Sequence, residues 1–253
     1  MNFNRFSRNI ICLLFLTLFA GCIKLDLTLT LSREGSAIVM ANYSIPKQTI
    51  SNLNTMLNVK KKLTVFTENP AGEDFTEEFL KLVLNSSETE IKQEFTNFGK
   101  YGITLNYLSV DITGDQRYVR CEFTVTNIAN LAKIPLLLNS ALSLTKEPDG
   151  NYSLFHPELA KLINSESSDI ISEDARVPLL ERFKLSIRVN CPTPILKTNA
   201  HRKSQTSALW VFDSDNDPSA FRTFHRQQFY IKFVGTGLKL PELKFAESSS
   251  HRN

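Results

Sequence analysis

Eleven almost wholly apolar residues, Ile10–Ala20, end in Gly21-Cys22, and the very next residue opens a strictly alternating run. Ile23, Leu25, Leu27, Leu29 and Leu31 take one parity, and Lys24, Asp26, Thr28, Thr30 and Ser32 the other. A period of two is the mark of a β-strand with one face in a core and one in water. The folded body therefore starts as a strand one residue after Cys22, with no tether between the two. The apolar run itself is too short for a membrane span, which needs roughly 20 residues. Arg5 and Arg8 before it and the small residues after it have the layout of a secretory signal.

The end of that run, Phe19-Ala20-Gly21-Cys22 with Leu18 one place earlier, resembles the lipobox of bacterial lipoproteins. The resemblance implies cleavage before Cys22, a diacylglycerol on its thiol and usually an acyl group such as palmitate on the new amine. Two or three such chains hold a protein on a bilayer, since each buried CH₂ contributes ~0.8 kcal/mol. The expected division is a signal peptide over 1–21, a folded domain over 22–240 and a flexible tail over 241–253. Removing 1–21 takes Arg5 and Arg8 from the 29 basic residues and none of the 26 acidic ones, so the remainder is close to neutral. Charge that balanced excludes nucleic acid as a partner recognised by charge. Membrane attachment is expected to come from lipid at Cys22. Location is expected to be extracytoplasmic, at the cell membrane or the outer membrane. Ile23 stands where some Gram-negative lipoproteins carry the Asp that retains them on the inner membrane.

Hydrophobic residues make up 42% and charged residues 22% of the chain. The remainder therefore has enough apolar material for a core. After the turn Arg33–Ser36, a second strand over 37–45 closes a hairpin. Pro46 then opens a helix with an apolar face through Ile50, Leu53, Met56 and Leu57 that ends at Lys60-Lys61-Lys62. A further helical stretch starts at Asp74. Ser86 or Ser87 caps a helix carrying Ile91, Phe95 and Phe98 to Gly99. Alternation then predicts strands over 103–112 and 119–126 around Gly114-Asp115, a short helix within 127–140, and a hairpin about Pro148-Asp149-Gly150. Residues 157–181 read as a polar loop with short helices, and 183–189, 208–212 and 229–234 as strands. The expected fold class is α+β: a mainly antiparallel sheet with a few helices packed on it and an N-terminal hairpin directly after the lipidated cysteine.

No set of residues reads as catalytic. The histidines 156, 201, 225 and 251 lie in no recognisable nucleophile–base or metal motif, so no enzyme, cofactor or metal centre is expected. Asp213, Asp215 and Asp217 have the spacing of a calcium loop, but Pro218 and Phe224 stand where its glycine and bidentate Glu belong. An acidic turn is the better reading. Arg202, Lys203, Arg222 and Arg226 read as dispersed surface charge. Cys121 and Cys191 both survive processing and are expected either to form a disulfide or to pack as two buried thiols.

The order of these features resembles the LppM-like lipoprotein domain of bacteria. The resemblance begins at Cys22 and its strand and runs through Arg33-Glu34-Gly35-Ser36, Ile45-Pro46 and Gly102-Ile103. It is most specific over 183–189, then Pro192 to Thr198-Asn199-Ala200, then Trp210 on a later strand. It covers nearly all of residues 22–235. It implies a non-enzymatic envelope protein with a lipid or glycolipid as ligand and no catalytic residues to carry over. A structural or assembly role through an envelope protein partner is the other expectation.

Overall fold

The computed structural model describes residues 23–52, 54–55, 84–133, 142–158 and 182–243. The expected signal peptide and Cys22, residues 53 and 56–62 of the expected helix that ends at Lys60-Lys61-Lys62, the helical stretch from Asp74, residues 134–141, most of 157–181 and the end of the tail lie outside the described residues.

The alternating run forms β1 (Ile23–Leu31), which turns back as β2 (Ala37–Pro46) with Lys24 opposite Ser44 and Leu31 opposite Ala37. Residues 47–52 are helical, so Pro46 ends the strand and the helix follows it at once. Helix α1 (Glu88–Phe98) is capped at Ser87. The Glu90 amide donates to its hydroxyl, and the Ser87 amide donates to the Glu90 carboxylate. Gly99 was the expected terminator, but it is right-handed. The chain continues as a tight turn over Gly99–Tyr101, and Gly102, at φ 69°, makes the left-handed exit. Next come β3 (Ile103–Thr113) and β4 (Gln116–Val125), then β5 (Ser143–Lys146) and β6 (Tyr152–His156) around Pro148-Asp149-Gly150. The chain continues with β7 (Phe183–Asn190), β8 (Ile195–Thr198), β9 (Arg202–Lys203), β10 (Ser207–Asp213), α2 (Ala220–Arg226) and β11 (Phe229–Phe233).

These strands form two sheets. One has seven strands in the order β3-β4-β2-β1-β7-β10-β9, and the other four in the order β5-β6-β11-β8. β1 is thus the central strand of the larger sheet. It pairs parallel with β7, Ile23 opposite Phe183, while every other described pairing is antiparallel. The expected α+β class holds, with the addition of the second sheet. The odd residues of β1 face inward as the pattern required. Leu29 and Leu31 are buried, whereas Ile23, Leu25 and Leu27 are half-buried. The polar parity faces out and is cross-linked. The Ser186 hydroxyl donates to Asp26, and the Asn190 amide donates to Thr30 at 3.0 Å.

The inner face of the large sheet is covered in two parts. On the β3–β4 side α1 inserts Ile91 and Phe95, with Phe95 5.2 Å from the Phe123 ring. On the β7–β10 side lies the small sheet, whose Leu144, Ile231 and Phe233 are as fully buried as Trp210 and Phe123. Ordered pairing runs past the expected end at 240. Leu238 and Leu240 are buried, and Leu243 bridges Leu144.

The disulfide considered for Cys121 and Cys191 is absent: both are free, buried thiols. Cys121 is on β4 and Cys191 just past β7, with β2 and β1 between those strands. Three strand spacings of ~4.8 Å put the two far beyond the ~7 Å Cα limit of a bridge. Alternation places Cys121 on the inward face of its strand, but says nothing about how many strands separate it from Cys191. Burial pushes each thiol up to about 12, and pushes the Tyr43 hydroxyl, despite the neighbouring Arg117, to about 12 as well. In the unfolded chain these groups ionise from their ordinary values of 9.0 and 10.0 upward, while the folded chain holds their protons to about 12. Their contribution to stability is therefore intact below about pH 9 and lost as pH rises toward 12. Urea midpoints taken across that window should fall steadily; a flat profile would contradict the burial of these groups.

Candidate ligand cavity

The two sheets do not close on each other completely. Between them lies a cavity of about 100 Å³ with an almost wholly apolar wall. Leu27, Leu29, Ile187 and Val189 supply the large-sheet side, from the inward parity of β1 and β7, and Leu154 and Ile231 the small-sheet side. Trp210, Phe224, Phe229, Leu131 and Leu142 also line it. Two polar residues reach the wall, His156 and the otherwise exposed Arg188. His156 Nδ1 lies 2.7 Å from the Pro157 carbonyl. A carbonyl only accepts, so that nitrogen carries a proton and donates.

An aromatic column connects this cavity to the end of the sheet where the chain enters. Phe183 sits opposite Ile23 in the parallel pair, and the Ile23 amide donates to the Arg182 carbonyl at 2.9 Å. Phe183 touches Phe224 of α2 at 5.8 Å. Phe224 in turn reaches Phe212 at 5.3 Å and Phe229 at 6.3 Å, and Phe229 lies 5.3 Å from Trp210, edge to face. Aromatic pairs at these separations add roughly 0.5–1.5 kcal/mol each beyond their buried area. The column thus ties the strand end at Ile23 to the aromatic wall of the cavity.

The acidic turn caps the same end. The Ser214 hydroxyl accepts from the Phe183 amide at 2.7 Å and donates to its carbonyl at 3.1 Å. Lys184 bridges Asp213 at 3.1 Å and Asp215 at 2.9 Å, and the Lys184 ammonium holds the Asp215 carboxyl below its usual range. Asp217 accepts from the Ser219 amide. The three carboxylates therefore tie β7, β10 and the start of α2 together. Among the described residues no group of three or more His, Cys, Asp or Glu side chains converges to hold a metal ion. Arg222 and Arg226 lie on exposed positions of α2, and Arg202 and Lys203 on the exposed edge strand β9, so these cations do not converge. His201 accepts from the Val211 amide through Nδ1 and makes a ring contact with Phe212.

The sequence suggests an apolar cleft between sheet and helices, and the cavity lies instead between the two sheets. Its walls come from inward positions of strands far apart in the chain, which alternation assigns to a core without saying whether that core is filled. Phe224 was further hidden because α2, at seven residues, is too short to show a helical period.

No protein-family model matches the chain, and no curated protein matches it. Among solved structures the chain is similar to the folded domain of the LppM protein of Mycobacterium tuberculosis, determined by NMR. The two share 11% identity over 85% of this chain and 92% of that one, with a TM-score of 0.42. No helix among the described residues is long and apolar enough to cross a membrane.

Proposed function

We propose that the chain is a lipid-anchored, non-enzymatic lipoprotein of the bacterial cell envelope whose domain receives one apolar chain of a lipid or glycolipid between its two sheets. The observation that carries this reading is the apolar cavity itself, open space in a core where close packing is the rule. Its size sets what it takes. A dry cavity of about 150 Å³ holds a single benzene, and whole small-molecule sites run to about 300–1,000 Å³. About 100 Å³ fits a short stretch of one hydrocarbon chain, with the rest of the molecule and any headgroup outside. The anchor supports the same reading, because a strand that begins next to Cys22 keeps the domain within reach of bilayer lipids.

Native mass spectrometry of the protein, released gently from membranes, tests this. The expected spectrum contains a species heavier than the acylated chain by one lipid. That species should decline sharply in Ile187→Phe, whose larger side chain fills the cavity from β7. A spectrum with no such species, or one unchanged by Ile187→Phe, would count against it.

A second reading, an assembly lipoprotein acting through protein contacts, has its own observation. Ile38 and Met40 on the outer face of β2 are 42% and 41% exposed, and Tyr107 of β3, across Glu122 from Met40, is 53% exposed. An exposed apolar row of this kind suits a protein partner.

A further inference from the structure

The β3–β4 hairpin ends in apolar side chains that the core does not take up. Ile112 is 61% exposed, the most of any large hydrophobic residue described, and Tyr118 is 40% exposed. The register places both at the end of the large sheet where the chain enters. Lys24 pairs with Ser44, Ser44 with Tyr118, and Tyr118 with Asp111, so Ile112 lies one residue nearer that end. Cross-strand partners share a face and successive residues alternate. Tyr118, level with Ser44 and Lys24, is therefore on the outer face, and Ile112, opposite Arg117, on the inner one. Residues 111–115 are all exposed, and a Cβ on Gly114 would meet nothing within 4 Å, so the turn stands clear of its surroundings.

What this end faces follows from Cys22, which precedes Ile23 by one peptide unit, ~3.8 Å along the chain. A lipid at Cys22 holds this end of the sheet against the bilayer and turns the other end away. The hairpin stands to one side of that point, since the order β3-β4-β2-β1 puts β3 three strand spacings, ~14 Å, from β1. One anchor lets a domain pivot, and a second contact at this distance stops it. The residues suit such a contact: tyrosine belongs at headgroup level, where its ring is apolar and its hydroxyl stays wet. Apolar side chains on both faces of the hairpin suit end-on entry. A sheet lying flat on its outer face would leave Ile112 pointing away. Charge does not drive the contact. Arg182 and Lys184 are bridged to Asp213 and Asp215, and Lys24 and Lys47 are matched in number by Asp111 and Asp115.

We propose that the end of the β3–β4 hairpin dips into the surface layer of the bilayer that carries the anchor, with Ile112 below the headgroups and Tyr118 among them. This rests on the proposed lipidation of Cys22 and adds a second contact, which fixes the tilt of the domain.

The test uses the full acylated chain in phosphatidylcholine nanodiscs in which a fraction of the lipid bears a nitroxide on the fifth carbon of one acyl chain. The isoleucine methyl resonances and the Gly114 amide are followed by NMR. Ile38 is the internal control, because it is exposed on the same sheet but lies roughly 20 Å along β2 from Ser44. The Ile112 methyl is expected to lose most of its intensity and the Ile38 methyl little. In Ile112→Ser the Gly114 amide, broadened in the wild type, should recover. If that variant does not fold, the wild-type comparison of Ile112 with Ile38 decides alone. An Ile112 methyl no more broadened than Ile38, in protein that elutes with the nanodiscs, would overturn the hairpin contact and leave the anchor standing. A chain that does not elute with the nanodiscs would overturn the two together.

Discussion

Cys22→Ala is expected to move the protein almost completely from the membrane fraction to the soluble fraction. Without residues 1–21 the chain is close to neutral in formal charge, so charge offers little to hold it on a bilayer in place of the proposed anchor. Two or three acyl chains at ~0.8 kcal/mol per buried CH₂ make attachment stable, whereas without them only the folded surface is left to hold the bilayer. The variant should keep its fold, because the ordered body starts at Ile23, which is held by the Arg182 carbonyl and by pairing with Phe183. Fractionation with intact circular dichroism checks both parts. A Cys22→Ala protein that sediments with membranes as the wild type does would contradict the anchor.

The second large effect is structural and reaches the cavity through the small sheet. Gly235, just past β11, lies so close to the β5–β6 turn that a Cβ there would sit 1.8 Å from the Gly150 carbonyl oxygen and 2.9 Å from its carbon. Both are backbone atoms of a tight turn and cannot swing aside as a side chain could. The Gly235 amide also donates to the Asn151 side chain, so the two segments are fixed together. Gly235→Ala must therefore part β11 from the β5–β6 hairpin, at a cost of about 3 kcal/mol, the upper end of ordinary overpacking. Gly99→Ala is the control. Its Cβ meets nothing within 4 Å, and the residue is already right-handed. That change should stabilise the protein by about 0.4–1 kcal/mol. Urea unfolding of the two variants should shift in opposite directions. A Gly235→Ala midpoint within error of the wild type would contradict the close approach of the hairpin to β11.

Much of the secondary structure is local chemistry and was legible as such. The β1 alternation, the Ser87–Glu90 capping box and the Pro148-Asp149-Gly150 turn each act within a few residues, and each appears where its residues predict. What escaped is non-local or too short. The parallel pairing of Ile23 with Phe183 joins strands far apart in the chain, and nothing in either strand names its partner. Ile195–Thr198 follows two prolines closely, and no strand is expected there from its residues, yet it pairs with β11. The candidate site suffered most. The proposed lipidation of Cys22 rests on sequence order alone: a basic start, an apolar run and a small-residue end. Trp210 and Phe224 acquire meaning only once two sheets enclose space between them.

The central claim is that the inter-sheet cavity, not the outer face of the large sheet, meets lipid. Stearic acid bearing a nitroxide near its methyl end, supplied in nanodiscs to the anchored protein, tests it through paramagnetic broadening of assigned methyl resonances. The cavity account predicts the strongest broadening at Leu27, Leu154 and Ile187, with weaker broadening at Ile38 and Met40 on the opposite face of the sheet. Broadening at Ile38 and Met40 with the cavity methyls untouched would contradict it.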